Sequence, residues 1–445
     1  MFEPERFHTS TLQTHARGDA VMRVLATAFN AVEPGAAVKK YLHENPLPAV
    51  PRIFAFGLGK AACAMTSALA DETSLVDSLV ITKHASPLNF GPVTVIEGDH
   101  PVPGISSLSA GTAVLKFISQ LTPDDLLVCL ISGGGSALMT APFIPLVDLQ
   151  SLTSVLLACG ARIDEINILR RHLDQLKGGG LARSAASCGA RVVSLILSDV
   201  VNDSIEAIAS GPTAPDPTTN ADALFIIEKY NLKDKIPAVI FQSLCETLKP
   251  NDPIFDRVQN TIIASNEIAL QTALIQAQAE GFQTKIICTG LQGEASVVGR
   301  EMALLLKESI QQNSRPFCLL AGGETTVTLR RGSHSPDDFS GRQALKGKGK
   351  GGRNQELALA AVDVLAGLQD VMLISLATDG EDGPTDAAGA LVTGESAQRA
   401  GMLGMTVAGY LSRNDAYSYF DALNDLVQTG PSGTNVNDLV ICFAF

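Results

Sequence analysis

The sequence has no C-x-x-C pair. Its eight cysteines (Cys63, Cys129, Cys159, Cys188, Cys245, Cys288, Cys318 and Cys442) are scattered, most of them inside apolar runs such as "LLVCLI" and "TKIICTG". That argues against a zinc site or a disulfide frame and for buried free thiols in a reducing compartment. Basic residues are few: 33 Lys and Arg against 46 Asp and Glu leave a net charge of -13. No face-wide positive surface is available for nucleic acid, so an anionic ligand must be met locally, by small basic clusters and backbone amides. No run reaches the ~18 uninterrupted apolar residues that a spanning helix needs, and "MFEPERFHTS" carries no apolar signal region. A soluble, cytoplasmic protein without a membrane partner is expected. The P-loop pattern G-x-x-x-x-G-K-[ST] is also absent, so any phosphate transfer runs outside the Walker scheme.

What is present reads as an enzyme of the α/β class. The 445 residues exceed one ordinary core, and 46% hydrophobic residues with 39 glycines fit a globular fold. Short apolar runs alternate with helical patterns, which predicts βαβ units and two Rossmann-like α/β domains with mainly parallel sheets. "RIFAFGLG", "SLVITK", "LLVCLISGGG" and "RVVSLILSD" read as strands buried on both faces. "LQSLTSVLLACG" and "EASVVGREMALLLKESI" read as covering helices. The polar, proline-bearing "LKPNDPIFDRVQN" is the expected boundary, dividing the chain into residues 1–247 and 248–445. A second alternation is expected to begin at "TIIASN".

Four glycine-rich segments could hold phosphate, each expected at or near a strand end where open α/β sheets place ligands. "FGLGKAA" fits G-x-G-x-x-A at Gly57, Gly59 and Ala62. A dinucleotide turn needs an acid at the end of the next strand, but that strand ends in Thr82 and Lys83; Lys60 suits a phosphate better. "ISGGGSALM" offers the converging amides of Ser132, Gly133, Gly134, Gly135 and Ser136. "LAGGETTVTL" offers Gly322, Gly323 and Glu324. In "KGKGKGGRNQELALA", residues 346–360, four of the first eight residues are basic and the glycines free the backbone to move. There Lys350, Gly352 and Arg353 lie at a predicted helix start, placed to close over nucleotide phosphates. A tight packing turn or a solvated basic loop is the plainer alternative for each.

Two acidic loops follow other strands. "SDVVNDSIEAIASGPTAPDPTT" brings Ser198, Asp199 and Asp203, and "ATDGEDGPTDAAGALV" brings Asp379, Glu381, Asp382 and Asp386. Carboxylates on rigid turns suit Mg²⁺ that bridges to phosphate, and they also offer a base for a hydroxyl proton. Single aspartates in such loops also form Asx turns. Asn435 in "TGPSGTNVNDL" is a neutral donor able to orient a substrate. Arg170, in "INILRRHLDQLKGGGLARSA", could reach a carboxylate or solvate a helix end.

Taken in order, "FGLGKAA", "GDHPVPG", "SGGGSALM", "SDV", "IASGPT", "GGETTV", "KGKGGRNQELALA", "TDG" and "GTNV" resemble the glycerate 2-kinase family, whose C-terminal part is known as the MOFRL domain (here about 318–440). The resemblance implies ATP-dependent, Mg²⁺-assisted phosphorylation of D-glycerate at its 2-hydroxyl, in a cleft between two α/β domains. By motif it implies catalytic roles for Lys60, Asp199, Arg353, Asp379 and Asn435, with Asp379 and Asp386 as metal candidates. The sequence departs from the family at Asn202, where glycine is frequent, at Ala377, and in an insert over about 331–345. Two other readings stay open: a nicotinamide-dependent hydroxypyruvate reductase and a non-catalytic phosphosugar-binding module. A homodimer is left open as well.

Overall fold

The computed structural model describes residues 2–329 and 349–445, so the 331–345 insert and residues 346–348 of the basic stretch lie outside the described residues. Contacts divide the chain into two units, Pro34–Ala264 and Met1–Glu33 with Ser265–Phe445.

In the unit Pro34–Ala264, strands β1 (Arg52–Leu58), β2 (Asp77–Thr82), β3 (Val93–Glu97), β4 (Asp125–Ile131), β5 (Arg191–Leu197) and β6 (Val258–Ala264) form one sheet in the order β3-β2-β1-β4-β5-β6. Every pairing in it is parallel. The continuous apolar runs have the expected cause. Each residue of β4 is buried, because crossover helices such as Ala62–Glu72 and Ile105–Ile118 cover the faces. Phe54, Phe56, Leu58, Leu127, Cys129 and Ile131 pack in its core. The strand order reverses between β1 and β4. Parallel sheets bind ligands outside the carboxyl ends of the strands at such a switch, and the loops that follow β1 and β4 are "GLGK" and "SGGGS".

The second sheet runs β11-β10-β9-β12-β8-β7, with β7 (Gln283–Glu294), β8 (Phe317–Thr326), β9 (Val371–Ala377), β10 (Gly389–Thr393), β11 (Leu426–Val427) and β12 (Asp438–Ala444). It is mixed, not mainly parallel. β7 and β8 pair in parallel, while β12 lies antiparallel between β8 and β9, and β10 is antiparallel to β9 and β11. Burial on both faces makes "LVICFAF" continuously apolar whichever way its neighbours point, so the pattern cannot reveal strand direction.

The expected boundary also needs correction. The "TIIA" of "TIIASN" belongs to β6, which is bonded to β5 and completes the first sheet. The change of unit comes after Ala264, and the N-terminal 33 residues join the C-terminal unit. There the helix Gly18–Ala31 packs on the helix Asn266–Ala279. Arg23 donates Nε and Nη2 to the two carboxylate oxygens of Glu280 at 2.7 and 2.8 Å, and the Phe7 and Phe29 rings meet edge-on at 5.1 Å. The Arg23–Glu280 contact spans more than two hundred residues, and local sequence carries no sign of it. No helix among the described residues is long and apolar enough to cross a membrane.

Candidate functional site

At the switch point the β1 and β4 loops are locked together. Ser132 N–H donates to Leu58 O at 2.8 Å and Lys60 N–H to Gly133 O at 3.0 Å. Ala61 N–H donates to Ser132 Oγ at 3.0 Å. Gly59 has φ +115°, and a Cβ there would stand 2.3 Å from Ser132 O, so no other residue fits without moving the loop. Gly57 lies as close to Thr66, where a Cβ would meet Oγ1 at 2.7 Å.

Candidate side chains flank the next two glycines. A Cβ on Gly133 would meet Asp199 Oδ2 at 1.9 Å, and one on Gly134 would lie 3.4 Å from Lys60 Cγ and 3.8 Å from His100 Cδ2. Lys60 from β1 and Asp199 from the end of β5 are thus brought to the same two-residue step. Gly135 packs against Ala209, and Ser136 shares a 2.8 Å hydroxyl contact with Ser210. Around β5 the backbone is held left-handed at Asn202 (φ 66°), Asp203 (54°), Ala209 (51°) and Ser210 (61°). Non-glycine residues in this region cluster at functional sites. Asparagine tolerates that conformation at Asn202 better than most residues do.

Positive charge gathers here. Lys60, Lys83 and Arg170 all act on His100, whose pKa is lowered first by burial and then by these three cations. Burial likewise lowers the Arg170 pKa, and Arg170 Nε is buried with no hydrogen-bond partner among the described residues. His100 is a residue that sequence reasoning missed. Its signal was the "GDHPVPG" string, read only as part of the resemblance.

The second centre lies in the other unit, at a cavity of about 770 Å³ lined by Glu324, Gly352, Arg353, Asp379, Glu381 and Asp382 among others. That volume suits a small-molecule ligand. The helix Arg353–Leu365 starts where predicted. Asp382 reaches back to cap it, accepting from Asn354 and Gln355 N–H at 3.1 and 2.8 Å. Gly352 permits this approach, since a Cβ there would lie 2.3 Å from Asp382 Cγ. Burial pushes the Asp382 carboxyl up to about 6 despite those amides.

Arg353 is a node. Its Nε and Nη2 donate to Asp438 at 2.6 and 3.1 Å, and Nη1 donates to Glu324 at 2.6 Å. Burial pushes the Asp438 carboxyl up to about 7 against the pull of Arg353. Asp379 opens its loop with an Asx turn, accepting from Glu381 N–H at 3.2 Å. The Asn435 loop packs on that turn through Ser432 N–H to Asp379 O at 3.0 Å.

Two expected placements differ. Gly322 and Gly323 lie inside β8, not in a loop after it. They serve close packing: a Cβ on Gly322 would fall 1.9 Å from Asn266 Oδ1. Asp386 is not among the cavity-lining residues, and its carboxylate accepts from Lys350 Nζ at 3.4 Å, with the Lys350 ammonium 3.5 Å from the Tyr417 ring centroid. Lys60, Asp199, Gly57, Gly59, Ser132–136 and Arg170 therefore share one unit, and Glu324, Lys350, Gly352, Arg353, Asp379 and Asn435 the other.

Known proteins resemble the chain over nearly its whole length. Residues 20–245 match the family described as Domain of unknown function (DUF4147), and residues 317–438 match the MOFRL family. D-glycerate 2-kinase of Thermotoga maritima is 36% identical, covering 99% of this chain and 99% of that protein. A putative hydroxypyruvate reductase of Agrobacterium vitis is 38% identical over 94% of this chain and 92% of its own length. The crystal structure of a glycerate kinase from Thermotoga maritima superposes with a TM-score of 0.85, covering 96% of this chain and 99% of that one.

Proposed function

The chain belongs to the glycerate 2-kinase family, and we propose that it transfers the γ-phosphoryl group of ATP to the 2-hydroxyl of D-glycerate, giving 2-phosphoglycerate and ADP. The bond from the γ-phosphorus to the β,γ-bridging oxygen breaks, and a bond from the glycerate 2-oxygen forms. The hydroxyl proton passes to a base, and the electron pair of the broken bond leaves with ADP. Little covalent work falls to the protein in such a transfer, so positioning and charge stabilisation dominate.

The observation that carries this reading is the pairing of Lys60 and Asp199 across Gly133–Gly134 at the switch point. Asp199 is the base that orients and accepts the hydroxyl proton. Lys60 neutralises charge on the transferred group. In the other unit Arg353 meets phosphate charge at a helix start, and Asn435 positions substrate through its loop on Asp379.

Asp379 and Glu381 both line the cavity, and Mg²⁺ takes one or two protein carboxylates and completes its shell with phosphate oxygens and water. Asp379, with Glu381 beside it on the cavity wall, would hold the ion. When bound, Mg²⁺ supplies charge neutralisation at the phosphates. Asp386, engaged by Lys350, is a weaker candidate. The cysteines among the described residues are all free thiols, which supports a cytoplasmic location.

³¹P NMR of the product from ATP, Mg²⁺ and D-glycerate tests the proposal, and a 2-phosphoglycerate resonance is expected. No ADP release on adding glycerate would leave a binding module. Oxidation of NADH by hydroxypyruvate would favour the reductase, which β2 ending in Thr82 without an acid does not support.

A further inference from the structure

The loop between β3 and the helix Ile105–Ile118 is pinned at both ends. Gly98 N–H donates to Thr82 O at 2.9 Å. Its Cα lies so near the Gly135–Leu138 turn that a Cβ would fall 2.1 Å from Leu138 O. Asp99 caps the following helix, accepting from Ser106 and Ser107 N–H at 2.9 and 3.2 Å. A Cβ on Gly104 would meet Asp99 Oδ2 at 2.4 Å, which closes the loop from its other side. Between these anchors the chain delivers His100 to Gly134, beside the aliphatic stem of Lys60.

Arg170 approaches from the helix Ile163–His172 and lies close to Pro103, Ser136, Asp174 and Lys177. The nearby Asp174 is occupied: it accepts from Thr140 Oγ1 at 2.6 Å, from Ala141 N–H at 3.0 Å and from Lys177 Nζ at 3.1 Å. Arg170 Nε, by contrast, is buried with no acceptor among the described residues. A buried donor left unmatched is costly, and a guanidinium is matched by a carboxylate or a phosphate oxygen pair.

We propose that Arg170 and His100 form the carboxylate-recognising subsite for the small hydroxy acid, with Arg170 supplying charge and His100 a neutral hydrogen bond. The inference rests on the glycerate kinase reading and deepens it. In a 2-hydroxy acid the reacting hydroxyl is on the carbon next to the carboxylate, so the base and the carboxylate site must be neighbours. Asp199 stands against Gly133 and His100 against Gly134, consecutive residues of one turn. Burial first, and then the charges of Lys60, Lys83 and Arg170, lower the His100 pKa and so favour its neutral ring. A neutral donor beside one guanidinium matches a singly charged carboxylate; a polyphosphate would favour the protonated ring.

Steady-state kinetics of Arg170→Met, Arg170→Lys, His100→Gln and His100→Ala test this, with D-glycerate and ATP varied separately. Loss of a charge-assisted contact predicts a KM for D-glycerate raised roughly 10- to 100-fold in Arg170→Met, with the KM for ATP within about two-fold, by the same principle. His100→Gln retains a neutral donor and is expected to retain more affinity for glycerate than His100→Ala. Glycerol, which lacks the carboxylate, should discriminate poorly between wild type and Arg170→Met. A raised KM for ATP with glycerate affinity intact would assign the subsite to phosphate and overturn the proposal, as would unchanged kinetics in all four variants. Calorimetric titration of D-glycerate alone separates the two layers. Wild type that binds glycerate without phosphorylating it fails the kinase reading, whereas wild type that phosphorylates it with Arg170→Met binding equally well fails this one.

Discussion

Replacing Asp438 by Asn should flatten the dependence of stability on pH. The wild-type carboxyl is fully buried at the start of β12 and is moved from 3.8 to about 7 by burial, with Arg353 pulling the other way. Such a group holds its proton more tightly in the folded chain by ~4 kcal/mol, an upper figure because the guanidinium shares the effect. The sign follows from proton counting. Between pH ~4 and ~7 the folded state keeps a proton that the unfolded state has released, so stability falls as pH rises across that window. The contribution is fully present below the unfolded value and lost above the folded one. Asparagine preserves the shape and removes the titration, while still accepting one bond from Arg353. Removing one member of a buried pair destabilises by about 3–5 kcal/mol because the other charge loses its partner; Glu324 still accepts from Arg353, and the comparison is therefore of the pH slope, not of absolute stability. Urea unfolding at pH 5 and pH 8 measures the result. The wild type should lose several kcal/mol over that interval, and Asp438→Asn should lose clearly less, reported by a probe on the C-terminal unit because the two units need not unfold together. Equal losses in both proteins would refute the assignment of a raised carboxyl at this position.

Lys60→Ala and Arg353→Ala should each lower turnover by ~10²-fold or more, by analogy with removing one charge-stabilising donor, read from coupled ADP release; wild-type rates in both would end the assignment. Gly59→Ala should destabilise the first unit by at least ~2 kcal/mol, because the side chain would have to displace Ser132 at a left-handed φ, and an unchanged thermal midpoint would contradict the geometry. Phe29→Ala, fully buried beside Phe7, should weaken the C-terminal unit by ~3–5 kcal/mol. Removal of residues 1–33 should do more; if that truncation melted like the parent chain, the N-terminal segment would not belong where its contacts place it.

The switch-point loops were legible because everything that makes them is local. A strand, a glycine that must turn and a helix that must start follow one another within about ten residues, as "FGLGKAACA" and "LISGGGSAL" do. Arg353 at a helix start was readable for the same reason. The placement of Gly322 and Gly323 is not legible because a glycine that admits a close neighbour looks the same in sequence as one that frees a loop, and the neighbours, Asn266 and Leu291, are more than thirty residues away.

The class of fold and the paired glycine loops thus came from sequence, since backbone propensity and burial periodicity are written in adjacent residues, while Lys60, Asp199 and Arg353 became candidates through motifs that resemble the family's. What the tertiary structure alone decided was partnership. Asp438 faces Arg353 because β12 is threaded antiparallel beside β8, and residues 1–33 cover a helix that begins after residue 264. His100 reaches Gly134 because two anchors hold its loop. Each such pairing is chosen by the summed packing of whole elements brought together over long loops, and no short stretch of chain contains that sum.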